Sequence, residues 1–195
     1  AGTGYAFSSW NVTGATVADA SSTTTTFTML TDNVTISASF TAGGGGGTTT
    51  VNDVLNLSFT GVSASTTYAE WSGKTGTSGA VYAGQSAGDH SSIQLRSNNS
   101  NSGIVTTTSG GNVKKVVVSW NSNTTSGRIL NVYGKNTAYS AATDLYNTST
   151  QGTLLGTIVY GTSTELTISG DYEYIGLRSS SGAMYLDSIT ITWEQ

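Results

Sequence analysis

Apolar and polar residues alternate along most of this chain, and the clearest run lies near its end. Between Ile175 and Trp193 the sequence IGLRSSSGAMYLDSITITW predicts two β-strands joined by a Ser/Gly turn. Ile189, Ile191 and Trp193 fall on one face at a period of two, with serine and threonine on the other. Because the apolar face of such a strand must be covered, the pattern predicts an all-β fold with packed sheets.

Similar short runs fill residues 51–177, and the turns between them are rich in Gly, Asn and Ser. The first run places Leu55, Leu57 and Phe59 on one face of a strand. No segment has a convincing helical period, although residues 138–146 are expected to form a single turn. Many short strands at this spacing predict a two-sheet β-sandwich or jelly roll. The further strands are predicted at 68–71, 80–83, 93–95, 104–108, 115–120, 129–133, 154–160, 166–168 and 172–177.

A smaller, partial β-module is predicted at residues 1–42, ahead of this sandwich. Alternation around Trp10 and Phe40, with a Thr-rich run between them, predicts three short strands. Five consecutive glycines follow, and they offer no side chains that could pack. We therefore predict a flexible linker at residues 43–50 and a second domain at residues 51–195.

The composition limits the cellular locations and the binding partners to be expected of this protein. Of the 195 residues only 9% are charged, the net charge is −4, and seven are Lys or Arg, so no basic face for nucleic acid is expected. The absence of Cys excludes disulfides and thiolate metal sites. No apolar run approaches the roughly 20 residues that span a bilayer. Such charge-poor, Thr-rich strands are typical of secreted or cell-surface bacterial proteins.

The first module resembles the second half of the internalin-type B repeat of bacterial surface proteins. One departure is Leu30, which stands where such repeats commonly have Pro after the FTM triplet. The strands that open the repeat have no counterpart before Ala1. We expect either that the sequence was cut there or that a neighbouring subunit completes the sheet by strand addition. The residues that carry the resemblance are Gly4, Tyr5, Phe7, Trp10, Gly14, Phe27, Thr28, Met29, Val34, Ile36 and Phe40.

The second domain resembles a family of secreted β-sandwich domains from gut Bacteroidetes that look like galactose-binding jelly rolls. The resemblance rests on WSGKTGTSGAVYAG from Trp71, IQLRS from Ile93, SWNSN from Ser119, VYGKN from Val132 and GLRSSSGAMYLDSITITW at the end. It implies an extracellular setting and an accessory role beside adhesins or glycan-degrading enzymes. It carries no established binding residues.

Catalysis is not expected. The single histidine, His90, follows Asp89, but neighbouring side chains rarely point together, and the chain has no Gly-x-Ser-x-Gly elbow. Glu165, Asp171 and Glu173 are close in sequence and could converge as glycosidase acids, although turn caps and surface groups are the more common use of such residues. No cofactor is required by any of these patterns.

Calcium is the more plausible metal, because jelly rolls of this type often carry a structural ion held by oxygen ligands. Asp53 lies in the first strand of the second domain and Asp187 in the last, and such strands often pair. These two residues are the candidate ligands of a structural calcium ion. The alternative is that Asp187 accepts a hydrogen bond from Arg178 or from a backbone turn.

Carbohydrate binding needs exposed aromatic rings and a few polar groups that fix sugar hydroxyls. Trp71 precedes a Gly/Ser loop and is the best candidate ring, with packing in the core as the alternative, whereas Trp120 and Trp193 are expected in the core. Arg96 and Arg178 end the similar segments IQLR and IGLR and are candidates for ligand contact. The alternative is that each forms a buried ion pair. The candidate ligand-binding residues are Trp71, Tyr82, Arg96, Asn98, Tyr133 and Arg178.

Two functions follow from these expectations. The first is a non-enzymatic adhesion or carbohydrate-binding module that recognises a glycan, or a host or bacterial surface protein. The second is a structural subunit of a surface assembly, in which the first module mediates self-association through strand addition.

Overall fold

The computed structural model describes residues 5–30, 33–42, 48–98 and 100–195, and of Ala42 it describes the backbone alone. The chain forms two compact units, Ala1–Thr48 and Thr49–Gln195. The glycines of the expected linker, at positions 43–47, lie outside the described residues.

The described part of the first unit contains four short strands rather than the predicted three. They are β1 (Tyr5–Thr13), β2 (Ala15–Val17), β3 (Phe27–Met29) and β4 (Thr35–Ala42). β1 pairs antiparallel with β4, and β2 pairs antiparallel with β3. The additional strand arises because Gly14, with a φ of 82°, turns the chain between β1 and β2.

The first unit has an aromatic cluster but no closed core among its described residues. The ring centroid of Phe7 lies 5.2 Å from that of Trp10 and 6.0 Å from that of Phe40, and the Trp10 and Phe27 centroids are 5.9 Å apart. None of the side chains described between positions 5 and 41 is buried. The large apolar side chains left exposed among the described residues are Tyr5, Met29, Leu30, Ile36 and Phe40.

The second unit is built almost entirely from strands. Three short helical turns interrupt them, namely α1 (Leu57–Thr60) and the 3₁₀ turns Asp89–Ser91 and Ala142–Tyr146. The last of these is the single turn expected from the sequence. The described strands are β5 (Thr50–Leu55), β6 (Ala69–Thr75), β7 (Val81–Ser86), β8 (Ile93–Leu95), β9 (Gly103–Thr108), β10 (Asn112–Trp120), β11 (Ile129–Lys135), β12 (Thr153–Val159), β13 (Glu165–Thr167), β14 (Tyr174–Ser179) and β15 (Met184–Glu194).

These strands form two antiparallel sheets that face each other across the main core. One sheet has the order β13-β10-β15-β5, and β8 also pairs with β15. The other has the order β12-β11-β14-β9-β7-β6. Ile189, Ile191 and Trp193 are fully buried between them, as their period-two spacing predicts. The prediction of an all-β sandwich is therefore confirmed.

A second apolar cluster lies beneath the 3₁₀ turn Ala142–Tyr146, on the six-stranded sheet. Tyr133, Tyr139 and Leu145 are its large buried members. A Cβ atom on Gly176 of β14 would lie 2.3 Å from Leu145 Cδ2, so glycine is needed for this turn to approach the sheet.

One detail of the predicted strands is wrong. The strand expected to reach Phe59 ends at Leu55, and residues 57–60 form the helical turn α1 instead. The Asn56 side chain caps the start of this turn by accepting a hydrogen bond from the Phe59 N–H at 3.0 Å, and Gly61 caps its end with a left-handed backbone. Trp120, the last residue of β10, packs against the main core as expected but is only partly buried.

Candidate functional site

The strongest candidate site is a pocket of about 360 Å³ at the end of the sandwich where β14 turns into β15. The loop before β6 forms one wall, β8 and the residues after it form a second, and the β14–β15 turn forms the third. We call it the Arg96 pocket, and its lining residues are Thr66, Tyr68, Gln94, Arg96, Asn98, Gly182 and Ala183.

Three buried polar atoms of this lining have no hydrogen-bond partner among the described residues. They are the Tyr68 hydroxyl oxygen, Gln94 Oε1 and Arg96 Nε. The Gln94 side chain belongs to a residue that is only 9% exposed. Buried polar atoms are almost always paired in native proteins, because leaving one unpaired costs about 1–3 kcal/mol. Three of them lie around one pocket, where solvent or a polar ligand would complete their hydrogen bonding.

Arg96 packs over an aromatic ring and forms no ion pair with a described carboxylate. Its Cζ lies 3.7 Å from the centroid of the Tyr68 ring, and its backbone N–H donates to Ser102 Oγ at 3.1 Å. No described carboxylate lies within 4.0 Å of the guanidinium, so the ion pair considered as an alternative for Arg96 is absent from the described structure. Burial raises the pKa of the Tyr68 hydroxyl while the charge of Arg96 opposes that rise, so Tyr68 stays a neutral donor at ordinary pH.

The back wall of the pocket is built by the pairing of β8 with β15. Gln94 is in register with Tyr185, and Gln94 Nε2 donates to the Tyr185 hydroxyl at 3.3 Å. The His90 ring packs edge-on against Tyr185 with centroids 4.8 Å apart, and its Nε2 lies 3.7 Å from Asp89 Oδ2. His90 and Ser91 both have left-handed backbones, with φ of 54° and 57°. The histidine thus contacts the residue that orients Gln94.

The other two arginines of the chain lie close to the same end. A Cβ on Gly182 would be 2.8 Å from Arg128 Nη1, and Arg128 donates to the backbone oxygen of Ser181. Arg178 donates to the Leu145 backbone oxygen at 2.7 Å, and its Cζ lies 4.7 Å from the Tyr146 ring centroid. Within the described ranges, neither guanidinium has a carboxylate within 4.0 Å.

The sequence-based site residues divide into two groups. Arg96 and Asn98 line the Arg96 pocket. Arg178 contacts the neighbouring Tyr146, whose hydroxyl donates to the Ser102 backbone oxygen at 2.6 Å. The sequence reasoning missed Tyr68 and Gln94, because nothing in their local sequence distinguishes them from other strand and loop residues.

The expectation that Trp71, Tyr82 and Tyr133 present their rings to a ligand is corrected by their burial. Their exposed fractions are 8%, 0% and 4%, respectively. Trp71 lies in β6, which continues to Thr75 where a loop was expected, and its indole N–H donates to Ser86 Oγ at 3.0 Å. A ring enclosed by protein has no free face for a sugar, so these three residues have a packing role.

The candidate calcium ligands, Asp53 and Asp187, are not brought together. β5 does pair with β15, but Asp53 is in register with Ile191, four residues from Asp187, which is a separation of about 13 Å along the strand. The buried Asp53 carboxylate accepts from the Ser78 N–H, the Ser78 hydroxyl and the Tyr82 hydroxyl at 2.8, 2.6 and 2.7 Å. Asp187 is exposed and accepts from Asn121 Nδ2 at 2.8 Å. Each carboxylate therefore accepts hydrogen bonds from its own neighbours, and the two do not form one site.

Two of the three acids considered for glycoside hydrolysis, Glu165 and Asp171, take part in surface ion pairs. Glu165 Oε2 lies 2.7 Å from Lys115 Nζ, and Asp171 Oδ1 lies 3.6 Å from Lys114 Nζ. Among the described residues, no group of three or more His, Asp or Glu side chains is arranged to hold a metal ion.

A second, wider depression lies on the outer face of the sheet that contains β10. We call it the Trp120 groove, and its volume is about 760 Å³. Trp120 and Tyr160 form an edge-to-face pair with centroids 5.5 Å apart, and the indole N–H donates to the Ser163 backbone oxygen at 3.1 Å. None of its lining polar side chains is a buried group left without a partner, in contrast to the Arg96 pocket.

Comparison with known proteins bears on the first unit. A family model described as a divergent InlB B-repeat domain matches residues 1–44 of the 195, which confirms the resemblance inferred for the N-terminal module. No curated protein matches the chain, and no solved structure matches it. In the part of the chain that the structure describes, no helix is long and apolar enough to cross a bilayer. The N-terminal unit is thus similar to a domain type associated with bacterial surfaces.

Proposed function

We propose that the second unit is a non-enzymatic extracellular carbohydrate-binding module and that the Arg96 pocket holds the glycan. The observation that carries the proposal is the set of three buried, unpartnered polar atoms on Tyr68, Gln94 and Arg96 around one cavity. The surface-associated domain type of the first unit supports an extracellular setting.

A saccharide suits this set of atoms for a chemical reason. Gln94 Oε1 only accepts, Arg96 Nε only donates, and the Tyr68 hydroxyl can do either. Sugar hydroxyls both donate and accept, so neighbouring hydroxyls of one ring can satisfy all three atoms. The volume of about 360 Å³ lies within the range of small-molecule sites. The exposed amide of Asn98 adds a further polar group at the rim.

A glycan array probed with the full chain and with two variants tests the proposal. Gln94→Leu and Tyr68→Phe each remove one ligand-facing polar atom, and we expect each to weaken binding about tenfold, since a lost hydrogen bond costs about 1–1.5 kcal/mol. Tyr160→Phe is the matched control, because Tyr160 lies in the Trp120 groove. Failure of the wild-type chain to bind any glycan, or loss of binding in Tyr160→Phe alone, would refute the assignment.

A second function is favoured by the lack of a closed core in the first unit. Tyr5, Met29 and Leu30 are 58%, 61% and 65% exposed, and Ile36 and Phe40 are each nearly half exposed. A second copy of the chain that adds its strands to β1 or β4 would cover such residues, as subunits of a surface assembly do.

Sedimentation over a range of protein concentrations tests this second function. We expect the wild-type chain to associate as concentration rises and the Ile36→Thr/Phe40→Ser variant to stay monomeric. A wild-type chain that remains monomeric at every concentration would exclude self-association as the role of this unit.

A further inference from the structure

The chain's three arginines gather around the Arg96 pocket, although the protein is acidic overall. Arg96 lines the pocket, and the Arg128 guanidinium lies next to Gly182, which also lines it. Arg178 packs near the Tyr146 ring. The Tyr146 hydroxyl donates to the backbone oxygen of Ser102, whose side chain accepts from the Arg96 N–H. The net charge of the chain is −4, so this placement is not a consequence of composition. The end of the sandwich that holds the pocket is locally cationic.

The acidic groups of the described residues do not neutralise this end. The four described ion pairs involve His90 and two lysines, and none involves an arginine. Asp89 is near enough to contribute to the raised pKa of Tyr68, but its carboxylate accepts from the His90 N–H at 2.9 Å and faces the His90 ring. A partly buried guanidinium without a counter-ion is costly, so its positive charge favours an anionic ligand.

Arg96 is also pre-oriented for such a ligand. Its Cζ lies 3.7 Å from the Tyr68 ring centroid, a contact that restricts the movement of the guanidinium, and its buried Nε has no partner among the described residues. A carboxylate matches the paired N–H groups of a guanidinium edge. The neutral acceptor Gln94 Oε1 on the same lining requires a donor, such as a hydroxyl, on the same ligand.

We infer that the ligand of the Arg96 pocket is an acidic saccharide, whose carboxylate binds Arg96 and whose hydroxyls bind Gln94 and Tyr68. This inference rests on the proposed glycan-binding function and names the class of glycan. No covalent step is involved.

Calorimetric titration of the full chain with matched pairs of sugars tests the inference. The probes are the methyl glycosides of glucuronic and galacturonic acid, each compared with its neutral hexose counterpart, and sodium acetate as a free carboxylate. We expect at least one uronide to bind about tenfold tighter than its neutral partner at low salt, which corresponds to about 1.4 kcal/mol, and the preference to shrink as salt is added.

Arg96→Gln should abolish the preference for the uronide, and Arg96→Lys should retain part of it, because the charge remains and the paired N–H groups are lost. Lys115→Gln is the charge-matched control. Lys115 is in register with Thr192, about 20 Å along β15 from Leu186, which pairs with β8. This control should leave the preference unchanged.

The possible results separate the inference from the proposed function. Equal binding of acidic and neutral sugars would overturn the inference and leave the glycan-binding proposal intact. Acetate that binds as tightly as the uronides would overturn the saccharide assignment in favour of a free carboxylate. Wild-type protein that binds none of these probes, nor any glycan on the array, would refute both.

Discussion

Asp53 offers the sharpest test of the core. Its fully buried carboxylate accepts hydrogen bonds from the Ser78 N–H and hydroxyl and from the Tyr82 hydroxyl, and Tyr82 in turn accepts from the Trp193 indole N–H at 3.0 Å. The network connects the edge strand β5 and the end of β15 with β7 of the opposite sheet. Asp53→Ala removes the shared acceptor and leaves the donors of Ser78 and Tyr82 unpaired.

The magnitude follows from the number of donors left without an acceptor. The Tyr82 hydroxyl and the Ser78 N–H would each lose a partner at a cost of about 1–3 kcal/mol. Relief of the desolvation of the Asp53 carboxylate offsets part of this sum. We therefore expect Asp53→Ala to lower the free energy of unfolding by about 3 kcal/mol. For a chain of this size, that corresponds to a fall in Tm of about 6–12 °C.

Urea denaturation followed by tryptophan fluorescence measures the effect as a shift in midpoint at constant slope. Asp171→Ala is the control, because that side chain is 79% exposed and its removal should cost less than about 0.5 kcal/mol. A cost for Asp53→Ala as small as that of the control would refute the hydrogen-bond network.

Gly76→Ala tests the position of the Asp53 carboxylate independently. Its Cβ would lie 2.4 Å from Asp53 Cγ, which forces the carboxylate to move. We expect Gly76→Ala to destabilise the wild type by about 1–3 kcal/mol and to cost much less in an Asp53→Ala background, where the space is free. Additive costs in this double-mutant cycle would contradict the contact.

Two further predictions concern the tyrosines and the close-packed turn. Burial raises the pKa of Tyr68, Tyr82 and Tyr139, so the stability that their neutral forms give the fold is complete below the ordinary tyrosine pKa of about 10 and is lost as the pH rises above it. Tyrosinate absorbance should show that these three residues ionise only when the protein unfolds. Their titration in the folded state would contradict their burial. Gly176→Ala should cost about 1–3 kcal/mol in urea denaturation through its clash with Leu145, and much less in a Leu145→Ala background; equal costs in both backgrounds would contradict the contact.

The alternation of apolar and polar residues was sufficient to predict the sandwich, because it reports which face of each strand is covered. Ile189, Ile191 and Trp193 are buried as their spacing requires. The pattern failed where a local hydrogen bond competes with it. The Asn56 side chain caps the turn at residues 57–60, although Leu57 and Phe59 continue the period of two.

The candidate site was predictable only in part, because its geometry depends on contacts between residues distant in sequence. Arg96 could be singled out as a rare charge at a strand end. Tyr68 and Gln94 could not, since their importance comes from the stacking of Arg96 and from the pairing of β8 with β15. Trp71 was predicted to present its ring to a sugar because glycines follow it and indicate a loop. In the structure β6 continues past Gly73 to Thr75 through an irregular pairing with β7.

The most direct test is a chemical-shift map of the isotope-labelled full chain titrated with the methyl glycoside of glucuronic or galacturonic acid. The proposed site predicts that the largest changes fall on Tyr68, Gln94, Arg96 and Gly182, which surround one pocket. Changes centred instead on Trp120 and Tyr160, or no changes at saturating sugar, would contradict it.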